Sequence, residues 1–351
     1  MTLCSRQRPL NILALMHEAL VPPETTEGLS EKQIQPWKME YDVTVTLEQT
    51  LGHRVTCLGL YGDLRPLAEA LDAQKPDLVF NMMEEFDGCG AWDQHLVAYL
   101  ELRSQRYTGC NPRGLTLARD KALSKKLLDY DGVPVPRFEV FEKPVTHCQQ
   151  AARLIKGATA LPLPLIVKSL SEEGSVGLSR RSVVKSEAAL ARRVAQIHTL
   201  TGGAAIAEEF IEGREIYVGV LGKGRQLQTS VPLELQFKKL PLGAPNIATS
   251  RLKWDYAHQR ELGVATRPAQ LSRAQTRELV RLAKHVYRAL SLSGYARLDF
   301  RLSAHDGRFY LLEANPNPSL AYGEDFAEGW ELAGLDYPTL LTHILRLGLR
   351  A

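Results

Sequence analysis

Near its C-terminal end the chain carries two segments, residues 295–302 and 312–318, in which apolar and polar side chains alternate, and no other stretch restricts the fold as much. Strand side chains alternate faces, so Arg297 falls beside Asp299 and Glu313 beside Asn315. With Ser303 to Gly307 as a five-residue hairpin loop, both polar pairs share one face and the apolar residues line the other. Asp299, Glu313 and Asn315 offer three oxygen ligands beside the Arg297 guanidinium, a set that suits magnesium and a phosphoryl group. A cross-strand salt bridge between Arg297 and Glu313 is the purely structural alternative.

The 351-residue chain has room for two or three domains with real cores. At 44% hydrophobic and 24% charged residues it reads as an ordinary soluble protein. A net charge of +3, with no basic run interleaved with aromatics, argues against nucleic acid and for small polar or anionic ligands. Five scattered cysteines without a Cys-x-x-Cys pair make a disulfide framework or a zinc site an unlikely use for them. The apolar run Pro9 to Met16 passes directly into His17 and Glu18, which suits a first buried strand better than a signal peptide. No stretch approaches the roughly 20 apolar residues of a membrane span, so a cytoplasmic protein with no membrane partner is expected.

The first third alternates strands (Leu10 to Leu15, Arg54 to Leu58, Asp77 to Met82) with helical signals, including one at Trp37 to Leu51. Such βα order predicts a parallel sheet. The proline-rich, acidic segment Val21 to Pro36 reads as an inserted surface loop. A second module starts near Thr108, with a helix over 120–131, a buried strand Leu165 to Lys168, a glycine turn Gly174 to Gly177, a return strand Leu178 to Val184 and a helix Ser186 to Leu200. Strands over 204–211, 214–221 and 226–235 follow, then a helix over 272–292, the hairpin and closing helices. Gln236 to Leu271 has little periodicity, as a functional lid or a disordered loop would.

Arg119-Asp120-Lys121 through Leu128, Leu165 to Gly177, Glu208 to Val220 and Gly294 to Pro318 occur in an order that resembles the ATP-grasp superfamily, and within it the D-alanine–D-alanine ligase family. The resemblance covers most of the chain, from Leu10 to about Leu347, and weakens before residue 75. It implies an α/β architecture, with an N-terminal Rossmann-like domain at residues 1–107, a small ATP-grasp lobe at 108–203 and a C-terminal lobe at 204–351. It implies ATP and two Mg²⁺ ions, with Mn²⁺ as a substitute, and a homodimer. Lys121 and Lys168 would reach the ATP phosphates, and Ser175, Val176 and Gly177 would form the phosphate loop. Glu208, Glu209, Phe210 and Ile211 would be the adenine hinge and Glu215 the ribose acid. Lys253 would be the lid lysine, Asp299, Glu313 and Asn315 the metal ligands, and Arg297 the arginine facing the transferring phosphoryl group. Taken without the resemblance, the lysines read as solvated, the glycine turn as a plain hairpin, and Glu208 and Glu209 as exposed strand-end acids.

The substrate pocket departs from the family pattern. The family's phosphate-loop serine is Gly174 here, its lid tyrosine is Trp254, and Glu18 is the nearest acid after the first strand. The family's His-Gly pair is replaced by Met82-Met83-Glu84-Glu85-Phe86, and Ser319 replaces a glycine shortly after Asn317. Glu324 and Asp325 stand where the second substrate's carboxylate is expected, favouring an amine without one; acids capping a helix are the alternative. Met82, Met83 and Phe86 suggest a larger apolar pocket or, equally, core. The reading is an ADP-forming ligase that joins a small-molecule carboxylate to an amine through an acyl phosphate. A true D-alanine–D-alanine ligase and an ATP-binding phosphotransferase or regulator are its rivals.

Overall fold

The computed structural model describes residues 8–142, 161–172, 177–241, 243–249, 251–252 and 256–350. Strands β1 (Asn11–His17), β2 (Arg54–Leu60) and β3 (Leu78–Asn81) form a parallel sheet in the order β2-β1-β3. Ile12 to Met16 are all fully buried, as expected for a central strand covered on both faces. The Val21 to Pro36 segment is largely exposed and ends in the single-turn helix α1 (Glu31–Ile34). Helix α2 (Lys38–Val45) runs on through a π turn, Thr46–Thr50, and α3 (Arg65–Gln74) links β2 to β3.

Helices α4 (Asp93–Leu102), α5 (Pro112–Arg119) and α6 (Lys121–Tyr130) lead into a four-stranded antiparallel sheet. Its order is β4 (Phe138–Phe141), β7 (Ala205–Glu209), β5 (Leu165–Ser169) and β6 (Val183–Val184). The return strand is much shorter than Leu178 to Val184. Ser179 N–H donates to Ser182 Oγ at 3.0 Å and a 3-10 turn occupies Arg180–Ser182. Local side-chain bonds of this kind compete with the ladder. Helix α7 (Glu187–Thr201) covers the sheet, capped by the Ser186 side chain and ended by Gly202 at φ +66.

The largest sheet runs β11 (Val264–Pro268), β10 (Leu233–Phe237), β8 (Gly213–Lys223), β12 (Gly294–Ser303) and β13 (Phe309–Pro316), with β9 (Gln226–Thr229) beside β8. Two expectations change here. The single strand over 226–235 is two, broken before Pro232, which has no N–H for a ladder. The segment 236–271 is not one aperiodic loop, because it holds helix α8 (Tyr256–Leu262) and edge strand β11 paired with β10. A half-exposed strand such as Val-Ala-Thr-Arg-Pro leaves no apolar alternation to read. Helix α9 (Arg273–Ala289), capped by Ser272, packs behind this sheet.

The chain then closes through α10 (Asp325–Glu331) and α11 (Tyr337–Leu349). Leu340, Leu341, Ile344 and Leu345 of α11 pack with β1 residues Ile12, Ala14 and Met16, so the last helix completes the first module's core. Among the described residues no helix is long and apolar enough to cross a membrane.

The β12–β13 hairpin differs from the expectation in one informative way. Leu302 pairs with Phe309 and Phe300 with Leu311, a register one residue away from that of a Ser303 to Gly307 loop. Continued unchanged, it would turn Glu313 to the apolar face. A bulge between Asp299 and Phe300 skips Leu312 and restores Asp299 opposite Glu313 and Arg297 opposite Asn315. Ala296, Leu298, Phe300 and Leu302 enter the core from the other face.

Candidate active site

A cleft lies between the two antiparallel sheets. Lys168, Glu208 and Phe210 line it from the smaller sheet, and Glu215, Arg297 and Asp299 from the larger. Asp120 caps α6, its Oδ1 accepting from Ala122 N–H at 2.9 Å and Leu123 N–H at 2.8 Å. That cap sets Lys121 at the first helical position and Lys125 one turn further along the same face.

Glu208 is 1 % exposed, with Lys125 Nζ at 3.1 Å from one carboxylate oxygen and Lys168 Nζ at 3.0 Å from the other. Burial pushes the Glu208 carboxyl up, but the two ammonium groups outweigh it and hold it below the ordinary carboxylate range. Burial, with Lys168 and Lys121 nearby, pulls Lys125 down to about 8 against the opposing pull of Glu208. Lys168 suffers the same burial, yet Glu208 and Glu313 reverse it and hold the amine above its usual value. Lys125 Nζ also donates to the carbonyl of Leu312 at 2.7 Å, the residue the hairpin bulge leaves out of the ladder. One ammonium thus ties α6, the Glu208 strand and the bulge together.

On the opposite wall, Arg297 and Asp299 form a bidentate pair, Nε to Oδ1 at 2.8 Å and Nη2 to Oδ2 at 2.9 Å. The cross-strand Arg297–Glu313 bridge, the structural alternative, gives way to a pair along one strand. Asn315 Nδ2 donates to Asp299 Oδ2 at 3.0 Å, and the guanidinium lies 4.8 Å from the centre of the Tyr217 ring. Burial opposes the charge on Arg297, but Asp299 outweighs it and raises the guanidinium well above its usual pKa. Next along the face, Arg301 Nη2 stands 3.1 Å from Glu215 Oε2, while Tyr217 O–H donates to Glu215 Oε1 at 2.9 Å. Gly219 pairs with Arg297, and a Cβ there would come within 2.9 Å of Trp330 Nε1. Glycine at that position lets α10 sit close to β8, bringing Asp325 into the electrostatic field of Arg297 and Tyr217.

Residues 127–346 match the family described as D-ala D-ala ligase C-terminus. The chain belongs to this D-alanine–D-alanine ligase family. An uncharacterized protein, y4sG, of Sinorhizobium fredii is 30% identical over 89% of this chain and 88% of its own length. A D-alanine–D-alanine ligase of Herminiimonas arsenicoxydans is 29% identical over 80% of this chain and 78% of its own. The crystal structure of the Bacillus anthracis D-alanine–D-alanine ligase superposes with a TM-score of 0.70 at 19% identity, covering 97% of this chain and 98% of the other. The three sheets are thus those of an ATP-grasp ligase.

Within this D-alanine–D-alanine ligase-like frame, the structure brings Lys121, Lys168, Glu208, Glu209, Phe210, Ile211, Glu215, Arg297, Asp299 and Glu313 to one cleft. Glu208 is not an exposed strand-end acid, and its carboxylate faces two lysines and not an open adenine pocket. The N–H groups of Glu209 and Phe210 already donate to the carbonyls of Arg137 and Pro164. Ser175, Val176, Lys253 and Trp254 lie outside the described residues, as does Gly174. Gly177 adopts φ +69, and its carbonyl accepts from the Arg193 guanidinium.

Of the expected substrate positions, Glu18 is exposed and its backbone abuts Gly59 of β2. Asn317 Oδ1 accepts from Cys110 N–H at 2.8 Å, which gives that amide a structural task. Ser319 and Glu84 are exposed, while Met82 and Met83 are core. Glu324 is the N-cap residue of α10 without a side-chain cap bond, and Asp325 lies in its first turn, so both acids stand at a helix start, as the structural alternative has it. Sequence reasoning missed Lys125, Arg301 and Tyr217. Their signals were one-turn spacing from Lys121 and two-residue spacing from Asp299 and Glu215.

Among the described residues, no group of three or more His, Cys, Asp and Glu side chains is disposed to hold a metal. Asp299, Glu313 and Asn315 instead form a two-carboxylate, one-amide set of hard oxygens, which fits Mg²⁺ by chemistry. A cation there would have to compete with Arg297 for Asp299.

Proposed function

We propose that this chain is an ATP-dependent, ADP-forming ligase that joins a carboxylate to an amine through an acyl phosphate, with substrates other than two D-alanines. The observation that carries the reading is the facing of Lys121 and Lys168 on one wall by Arg297, Asp299 and Glu313 on the other. Cationic donors on both sides of a cleft suit a polyphosphate, and an arginine beside two carboxylates suits the oxygens of a transferring phosphoryl group. Bound Mg²⁺ on Asp299, Glu313 and Asn315, in the two-ion arrangement expected from the resemblance, would neutralise phosphate charge. The chain's own groups position the reactants: Lys168 is steadied by Glu208, and Arg297 is stacked on Tyr217.

Substrate choice rests on the acids at the start of α10. Burial and then the neighbouring Asp325 push the Glu324 carboxyl above its usual pKa, while Lys38 and Arg297 pull the other way. A second carboxylate brought here would meet two acids, at a cost of about 1–4 kcal/mol for charges ~4 Å apart. Phosphate release with ATP and Mg²⁺, screened over acid–amine pairs, is expected with amines that lack a carboxylate. Glu324→Ser is expected to shift acceptor preference toward amino acids by about 10- to 100-fold. An unchanged preference would remove Glu324 from the pocket.

The second reading is an authentic D-alanine–D-alanine ligase, favoured by relatives that carry that name, such as the Herminiimonas protein. ADP release with D-alanine as the sole added substrate would establish it. A phosphotransferase would instead turn over ATP without any amine and leave a stable phosphorylated product.

A further inference from the structure

Arg301 is 3 % exposed and stands directly opposite Glu215 in the β8–β12 register, two residues past Asp299 on the face that carries Arg297. Its guanidinium serves several elements at once. Nη1 donates to the carbonyls of Asn246 at 2.8 Å and Gly213 at 3.3 Å, Nη2 lies 3.1 Å from Glu215 Oε2, and the group sits 5.9 Å from the centre of the Phe210 ring. Phe210, Glu215, Ile247 and Arg301 all line the cleft. Arg214, the neighbour of Glu215 on β8, shows how an arginine on this sheet ties strands together: its Nε and Nη2 grip both oxygens of Glu234, at 2.8 and 2.6 Å. Arg301 gives Glu215 a single nitrogen, and its buried Nε makes no hydrogen bond among the described residues. A buried donor left idle is costly, and a purely structural arginine avoids it.

The carboxylate explains the arrangement. Glu215 is 6 % exposed, and a buried carboxylate is tolerated only with a cation and hydrogen bonds. Arg301 is the cation, while Tyr217 O–H donates to Oε1 at 2.9 Å. Burial, and next the Glu215 charge, push the Tyr217 phenol well above its usual pKa, so it stays a donor. Each oxygen is therefore held by one partner. A carboxylate has about four acceptor sites, so about two are left, one on each oxygen. Two adjacent acceptors fixed in one plane match a vicinal diol, and the nucleotide sugar of the ligase reading carries one.

We propose that Arg301 is a positioning residue that sets the sugar selectivity of the nucleotide site, by holding the Glu215 carboxylate in the plane that accepts from both hydroxyls of a ribose. The inference rests on the ligase reading, in which Glu215 is the ribose acid, and adds the residue that makes that acid selective. Its second contact, the Asn246 carbonyl, keeps the next residue, Ile247, against the same cleft. Loss of Arg301 would leave Glu215 with one neutral donor among the described residues and no charge there to offset its burial.

Calorimetric titration of the full-length protein with the Mg²⁺ complexes of ADP, 2′-deoxyADP and 3′-deoxyADP reads this without turnover. The wild type is expected to bind ADP about 10- to 100-fold more tightly than either deoxy form, as fits hydrogen bonds to a charged acceptor. In Arg301→Met that preference is expected to shrink to about 3-fold or less. Should that variant not fold, Arg301→Gln, whose amide still donates to a backbone carbonyl, carries the same expectation. An unchanged preference in the variant that folds, even with weaker binding of all three nucleotides, would make Arg301 a scaffold residue and overturn the inference. Equal binding of the three by the wild type would overturn it too, and would leave the ligase reading standing. A wild type that binds none of them would remove the ligase reading and this inference together.

Discussion

Glu208→Gln is expected to lower the unfolding free energy by about 3–5 kcal/mol, the typical cost of removing one partner from a buried ion pair. The side chains of Lys125 and Lys168 are 2% and 14% exposed, so both ammonium groups would be left facing each other with little water to screen them. Denaturant unfolding measures the loss. The double variant Lys125→Met/Glu208→Gln should recover part of it, because the more deeply buried cation is gone and Lys168 still borders the cleft. A double-mutant cycle that shows no coupling would contradict the arrangement. The pH sign follows from the depressed Glu208 pKa. The stabilisation is complete above the pKa of an unfolded glutamate and is lost as pH falls through the lower folded value. The wild type should therefore show an acid-induced loss of stability that Glu208→Gln does not share.

Arg297→Lys should reduce phosphate release by about 10²–10³-fold, the usual effect of deleting one preorganised donor from a transition-state site. Lysine keeps the charge but cannot reproduce the fork that holds both oxygens of Asp299, nor the planar stacking on Tyr217. The loss should fall mainly on kcat, with the melting temperature little changed. A variant that turns over as fast as the wild type would show that Arg297 only organises the strand. Arg297→Met should be worse in both respects, since Asp299, 4 % exposed, would lose its bidentate cation.

Much of this architecture was legible without coordinates, because it depends on short-range patterns. The apolar run at Leu10 to Leu15 and the βα order foretold the parallel sheet, and the alternation about Arg297 and Glu313 foretold a polar-faced hairpin. Asp120 and Ser272 announced helix starts through side chains that satisfy N-terminal N–H groups. Less visible were elements whose partners are remote. β11 was missed because an edge strand half in water needs no apolar alternation, and the 178–184 strand was overextended because a serine turn took over most of it.

The sequence by itself put Arg297, Asp299, Glu313 and Asn315 on one face, because spacing along a strand is enough to do so. Lys121, Lys168 and Glu215, on separate elements, were expected there only from the family resemblance. Only the tertiary structure decided what those groups do to one another. It set Glu208 between two lysines that are 40 or more positions apart in sequence. It also shifted the hairpin register and corrected it with the Leu312 bulge, and buried the Glu40 carboxylate. Those outcomes depend on distances between separate elements and on the water excluded between them, and neither is encoded in any local pattern of residues.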